Sequence, residues 1–149
     1  MTVYVVEDSG SIRERLTQMV IELGATVVGE SVGPAHAVQG ILRTRPDSVI
    51  LDLQLQGGSG LDVLRAVHPA QPGIMFITVT NFPSAQYRRS CLEAGASHFL
   101  DKNTEFSRVR DVLRNFTPRA AAEDRMSGSA FPALPQKETD MTNRPRRSV

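Results

Sequence analysis

Five polar residues sit at the exits of short apolar runs. The acidic pair Glu7-Asp8 follows Val3-Tyr4-Val5-Val6, Asp52 follows Val49-Ile50-Leu51, Thr80 follows Ile74 to Val79, and Lys102 lies just beyond Ser97 to Leu100. Three carboxylates brought together repel one another and raise one another's pKa values. A hard cation relieves that repulsion, and carboxylate and carbonyl oxygens suit Mg²⁺, which completes its shell with water and phosphate oxygens. A carboxylate facing such a metal is a candidate nucleophile toward a phosphoryl group, giving an aspartyl phosphate. Positive charge on the equatorial oxygens stabilises that transfer, and Lys102 together with the metal would supply it. Thr80 can then donate a hydrogen bond to a phosphoryl oxygen.

Taken singly, each residue has a plainer reading. An acid after a strand often caps the next helix, a threonine there is a turn residue, and a lysine is a solvated charge. The joint placement carries the argument, since the five come from distant segments. Lys102 adds to it. It is the only lysine in residues 1–117, where ten arginines supply the remaining positive charge. A compact ammonium is not interchangeable with a planar guanidinium at a tight site.

The elements that must position these groups alternate between two periodicities. Val3–Val6 is expected as a first strand, followed by a helix whose inner face is Ile12, Leu16, Met19, Val20 and Leu23. Ser9 or Ser11 can cap that helix and Gly24 ends it. Thr26–Glu30 is a peripheral second strand, and Gly33-Pro34 opens a helix carried by Ala37, Val38, Ile41 and Leu42. Val49–Leu51 forms the third strand, Gln56–Gly60 a loop, and Leu61, Val63, Leu64 and Val67 the next helix. Ile74–Val79 is the fourth strand, Pro83–Ala94 a polar helix stopped by Gly95, and Ser97–Leu100 the fifth strand. Phe106, Val109, Val112, Leu113 and Phe116 face inward from the last helix. Five β-then-α units predict an α/β fold with a parallel sheet covered by helices on both faces. Ligands of such sheets bind outside the carboxyl ends of the strands, where all five polar residues fall.

Composition narrows the class. No apolar run is long enough to span a bilayer, the N-terminus has no signal-peptide pattern, and Cys91 is the only cysteine, so no internal disulfide can form. A cytoplasmic protein is expected. Residues 1–117 hold 11 basic and 12 acidic residues, and residues 118–149 hold 6 and 4. That second stretch also carries four of the nine prolines and little apolar periodicity. It is expected as a flexible tail, with a short helix possible after Thr117-Pro118. Its charge is too slight and mixed to predict nucleic-acid or membrane binding. His36, His68 and His98 lack metal-ligand spacing and read as structural or surface residues, Cys91 as a packing residue, and Arg88-Arg89 as a solvated face or the border of a partner surface.

Val5-Val6-Glu7-Asp8, Ile50-Leu51-Asp52, Gly60, Thr78-Val79-Thr80, Gly95-Ala96 and Phe99-Leu100-Asp101-Lys102 resemble the receiver domain of bacterial two-component response regulators. The resemblance covers about residues 1–117. It implies a flavodoxin-like receiver fold with strand order 2-1-3-4-5, for which a chemotaxis response regulator is a known example. It implies Mg²⁺ held by Glu7, Asp8, Asp52 and the backbone carbonyl of Gln54, with Asp52 as phosphoacceptor. Thr80 would be the switch hydroxyl, Lys102 the phosphoryl contact, and Phe99 the aromatic residue that turns inward when the hydroxyl moves. A histidine kinase or histidine phosphotransfer protein would be the donor, an unidentified protein the downstream partner, and a phosphorylation-dependent dimer is left open.

Three positions depart from the family pattern. Gln56-Gly57-Gly58 stands where a proline is usual, which predicts a mobile loop. Asn81 replaces a small residue after the switch hydroxyl, where it could crowd or hydrogen-bond the entry path. Asn103 replaces the proline after the lysine, and a cis bond before a non-proline costs roughly 2.5–4 kcal/mol, so a trans bond is expected. The leading expectation is a stand-alone receiver that catalyses its own phosphorylation. A transcription factor would need a second folded domain, which 32 residues after Thr117 cannot supply. An aspartyl-nucleophile phosphohydrolase would need an acid where Gln54 stands, and a degenerate, unphosphorylated interaction module would not need the intact set.

Overall fold

The strand-forming runs are apolar on both sides because both of their faces are covered. In a computed structural model, which describes residues 1–118, the order is β1 Thr2–Val6, α1 Gly10–Glu22, β2 Thr26–Ser31, α2 Pro34–Thr44 and β3 Ser48–Asp52. There follow the two-residue strands β4 Gln54–Leu55 and β5 Gly58–Ser59, then α3 Gly60–Val67, β6 Met75–Thr80, α4 Ala85–Glu93, β7 His98–Asp101 and α5 Arg108–Asn115. Met1–Phe116 make one compact unit. Residues from Arg119 onward, where the tail and the possible short helix were expected, lie outside the described residues.

The five long strands pair in parallel in the order β2-β1-β3-β6-β7, which is the expected 2-1-3-4-5 order once β4 and β5 are set aside. Alternation along each strand divides the core. Val3, Val5, Ile50, Ile77 and Val79 pack with Leu16, Met19 and Val20 of α1 and Val109 and Leu113 of α5. Tyr4, Val6, Val49, Leu51 and Phe76 pack with residues of α2, α3 and α4 on the opposite face. Each fully buried aliphatic side chain contributes roughly 1.5–3 kcal/mol.

Local chemistry sets the helix starts. Of the two candidate serines before α1, Ser9 is the cap, its hydroxyl accepting from Ile12 N. Ser59 and Ser84 cap α3 and α4 in the same way, so the fourth helix starts at Ala85 rather than at Pro83. Pro34 occupies the first turn of α2. Gly24, just past α1, takes a left-handed φ of 81°.

β3 and β6 each run one residue further than their apolar stretches, so Asp52 and Thr80 are the last residues of the strands at whose exits they are expected. The expected Gln56–Gly60 loop is instead a hairpin. Gln54 pairs with Ser59 and Leu55 with Gly58, around a turn of Gln56 and Gly57 in which Gly57 has φ 81°. Gln56 N donates to Val32 O at 3.2 Å, tying the turn to the segment before α2. Periodicity cannot register so short a ladder.

Candidate functional site

The carboxyl ends of β1, β3, β6 and β7 converge as the sheet rule requires. Asp52, at the end of β3, is 1% exposed, and Glu7, directly after β1, is wholly buried. Lys102, directly after β7, places Nζ 2.8 Å from Glu7 Oε1 and 3.2 Å from Asp52 Oδ1. Its backbone N–H donates to Thr80 O at 2.8 Å, which registers the lysine against the end of β6. Glu7 is held by Ser9 N on Oε2 and by Arg13 Nη1 on its carbonyl. Its Oε1 has the Lys102 ion pair but no aligned hydrogen-bond donor.

Glu7, half-buried Asp8 and Asp52 each offer an oxygen, and these oxygens lie within 4.8 Å of one another. The one ammonium at this cluster of three carboxylates pairs with two of them, Glu7 and Asp52. Burial, and next the negative charge of Glu7, push the Asp52 carboxyl up to about 7, while Lys102 and the Gln54 N–H on Oδ1 pull the other way. Burial is the larger cause, and the neighbouring carboxylate adds to it. A compact set of hard oxygen donors with an excess of negative charge fits Mg²⁺. Among the described residues, no other group of three His, Cys, Asp or Glu side chains is arranged in this way.

Gly60 keeps this corner open. A side chain there would run into the Asp52 carbonyl oxygen, so α3 can begin against the end of β3 only because the position lacks a Cβ.

Thr80 is fully buried. Its hydroxyl accepts from Phe82 N and donates to the side-chain oxygen of Gln54, each at 3.0 Å. Phe99 is 7% exposed and packed inward, with the Arg88 guanidinium 5.9 Å from its ring centroid. The ring is thus inward while the hydroxyl is bound to Gln54. Arg88, expected as part of a solvated face or a partner border, covers Phe99 and donates to its carbonyl at 3.5 Å.

The peptide between Lys102 and Asn103 is trans, as expected. The turn is closed by side chains: Asp101 Oδ1 accepts from Asn103 N at 2.8 Å, and Glu105 Oε1 accepts from Asp101 N at 3.0 Å. Asn81 is exposed, and its carbonyl accepts from Asn103 Nδ2 at 3.4 Å. The histidines take no part in the acidic cluster. His36 pairs with Ser31, and the His68 ring packs against Gly95.

Comparison with known proteins fits this geometry. The family model for the response regulator receiver domain matches residues 3–114. The chain belongs to that family. It is 30% identical over 146 residues to a protein-glutamate methylesterase/protein-glutamine glutaminase of Hahella chejuensis, covering 91% of this chain and 37% of that protein. It is 31% identical over 120 residues to the regulatory protein LuxO of Vibrio cholerae, covering 78% of this chain and 25% of the relative. A solved signal receiver domain of a Luxo repressor protein from Vibrio parahaemolyticus is 29% identical, with a TM-score of 0.74 over 85% of this chain and 97% of that one. The receiver thus spans well under half the length of these curated relatives. As a receiver domain of the two-component family, it belongs to phosphorelay signal transduction. Among the described residues, no helix is long and apolar enough to cross a membrane.

Sequence reasoning placed Gln54 at the site only through its backbone, and its side chain on Thr80 escaped notice. The position two residues after Asp52 is legible in one dimension. That a glutamine there reaches across to β6 is a fact of strand pairing.

Proposed function

We propose that this receiver takes a phosphoryl group on Asp52 and reports it through Thr80. The observation that carries the proposal is the placement of Lys102 Nζ between Glu7 and Asp52, within 3.2 Å of both. A buried ammonium bridging two carboxylates leaves one of them, Asp52, able to change partners when a phosphoryl group arrives.

Glu7, Asp8, Asp52 and the Gln54 carbonyl are the groups that would hold Mg²⁺. Bound there, the metal supplies charge to the phosphoryl oxygens and offsets the excess of carboxylates. An Asp52 carboxylate oxygen attacks phosphorus of a phosphohistidine donor in line. The new O–P bond forms, the N–P bond breaks, and the departing imidazole nitrogen takes up a proton. Lys102 neutralises charge gathering on the transferred group. Thr80 contributes its single O–H to a phosphoryl oxygen.

The donor is a histidine kinase or a histidine phosphotransfer protein in the cytoplasm, and the output is a change of affinity for a downstream protein. Such a change needs two conformations separated by a few kcal/mol, biased by the phosphoryl group's unequal contacts.

Intact-mass measurement after incubation with acetyl phosphate and Mg²⁺ tests the reading. One added phosphoryl group, lost without Mg²⁺ and lost in Asp52→Ala, supports it. A folded wild-type protein that gains no mass under these conditions overturns it in favour of an unphosphorylated interaction module.

A further inference from the structure

Thr80 has one hydroxyl proton, and in this structure that proton is already spent. Phe82 N donates to Thr80 Oγ1, which fills one acceptor direction, and the hydroxyl itself donates to Gln54 Oε1. A hydroxyl offers a single O–H. It cannot serve Gln54 and a phosphoryl oxygen at once.

We propose that the Gln54 side chain is a positioning residue for phosphorylation: its amide oxygen latches the Thr80 hydroxyl at rest and must be displaced before the phosphoryl group is engaged. The proposal rests on the phosphoacceptor reading of Asp52 and deepens it with a regulatory step. Three features support a latch. Thr80 is wholly buried, so no bulk water replaces a lost partner for its proton. Gln54 is held on both sides, its N–H on Asp52 Oδ1 and its strand paired with Ser59 across the hairpin. The same residue therefore touches the acceptor carboxylate through its backbone and the hydroxyl through its side chain. Any change at Asp52 that shifts the start of β4 also shifts the latch. A hydrophobic residue of similar length would leave the hydroxyl free, and the phosphorylated state would no longer compete with a resting hydrogen bond.

A double-mutant cycle reads this directly. Affinity for beryllium fluoride in the presence of Mg²⁺, a stable mimic of the phosphoryl group on a carboxylate, is measured for wild type, Gln54→Met, Thr80→Val and the double variant. One net hydrogen bond corresponds to roughly a fivefold change in an equilibrium. Gln54→Met is expected to tighten binding about fivefold when Thr80 is present and to leave it unchanged in the Thr80→Val background. An equal effect in both backgrounds, or no effect with Thr80 present, overturns the latch. If the wild-type protein binds no beryllium fluoride, the phosphoacceptor reading fails and the latch fails with it; binding without coupling sinks the latch alone. In ligand-free protein, Gln54→Met is also expected to speed hydrogen exchange at the Phe82 amide. Gln54→Glu, which keeps an oxygen at the same reach, should hold that exchange at the wild-type rate. Equal exchange in Gln54→Met and wild type would count against the latch even where the variant binds the mimic poorly.

Discussion

The Lys102 ammonium lies closer to Glu7, at 2.8 Å, than to Asp52, at 3.2 Å. Both carboxylates are buried, so the lysine is their shared structural counter-ion. Lys102→Ala would leave two buried carboxylates without their shared cation, and breaking a buried pair typically costs about 3–5 kcal/mol. Thermal unfolding in EDTA should show a much lower Tm for Lys102→Ala. Added Mg²⁺ should raise the Tm of the variant more than that of the wild type. A Tm unaltered by the substitution would mean that the ion pair does not persist in solution.

Asp52 makes stability depend on pH. The folded protein holds this proton up to about 7, whereas the ordinary aspartate value is 3.8. Between these values the folded state binds more protons than the unfolded one. The contribution of this group is therefore fully present below about 4 and is lost as pH rises toward 7. Asp52→Asn removes the buried charge, so in metal-free buffer at pH 8 it should stabilise the protein by roughly 1–3 kcal/mol. Urea unfolding at pH 5 and pH 8 checks this: the gain should be large at the higher pH and small at the lower. A variant less stable than wild type at pH 8 would contradict the assignment.

Mg²⁺ at the proposed site would respond to the same balance. Occupation of the acidic cluster favours ionised Asp52, so it releases protons when the carboxyl starts protonated. The Mg²⁺-induced rise in Tm should be greater at pH 8 than at pH 5, and Asp8→Asn should reduce it at both. Equal shifts at the two pH values would place the cation elsewhere.

Tyr4 sits in a slot that has no room for a further methyl group. A Cβ at Gly40 would overlap the Tyr4 hydroxyl, which itself lies 2.6 Å from Ser31 Oγ. Gly40→Ala should destabilise by about 1–3 kcal/mol through overpacking. The penalty should shrink in a Tyr4→Phe background, where the nearest atom is gone. Chemical denaturation of the four proteins measures the coupling, and strictly additive costs would show that the slot relaxes by another route.

Much of this protein is legible in one dimension, for reasons that lie in the strands. A parallel strand buried on both faces must be apolar throughout, so Val3–Val6, Val49–Leu51 and Ile74–Val79 announce themselves. Chain direction then dictates that Glu7, Asp8, Asp52, Thr80 and Lys102 leave the sheet on one edge. The lone lysine among ten arginines in residues 1–117 marks its own position by residue type. The tertiary structure decided what depends on distance across strands. The ordering of Lys102 between Glu7 and Asp52, the reach of Gln54 to Thr80, the covering of Phe99 by Arg88 and the hairpin at Gln56-Gly57 are all set by register and side-chain packing. Hydrophobic periodicity reports which face of an element is buried. It carries no information about which polar atom on one element meets which on the next.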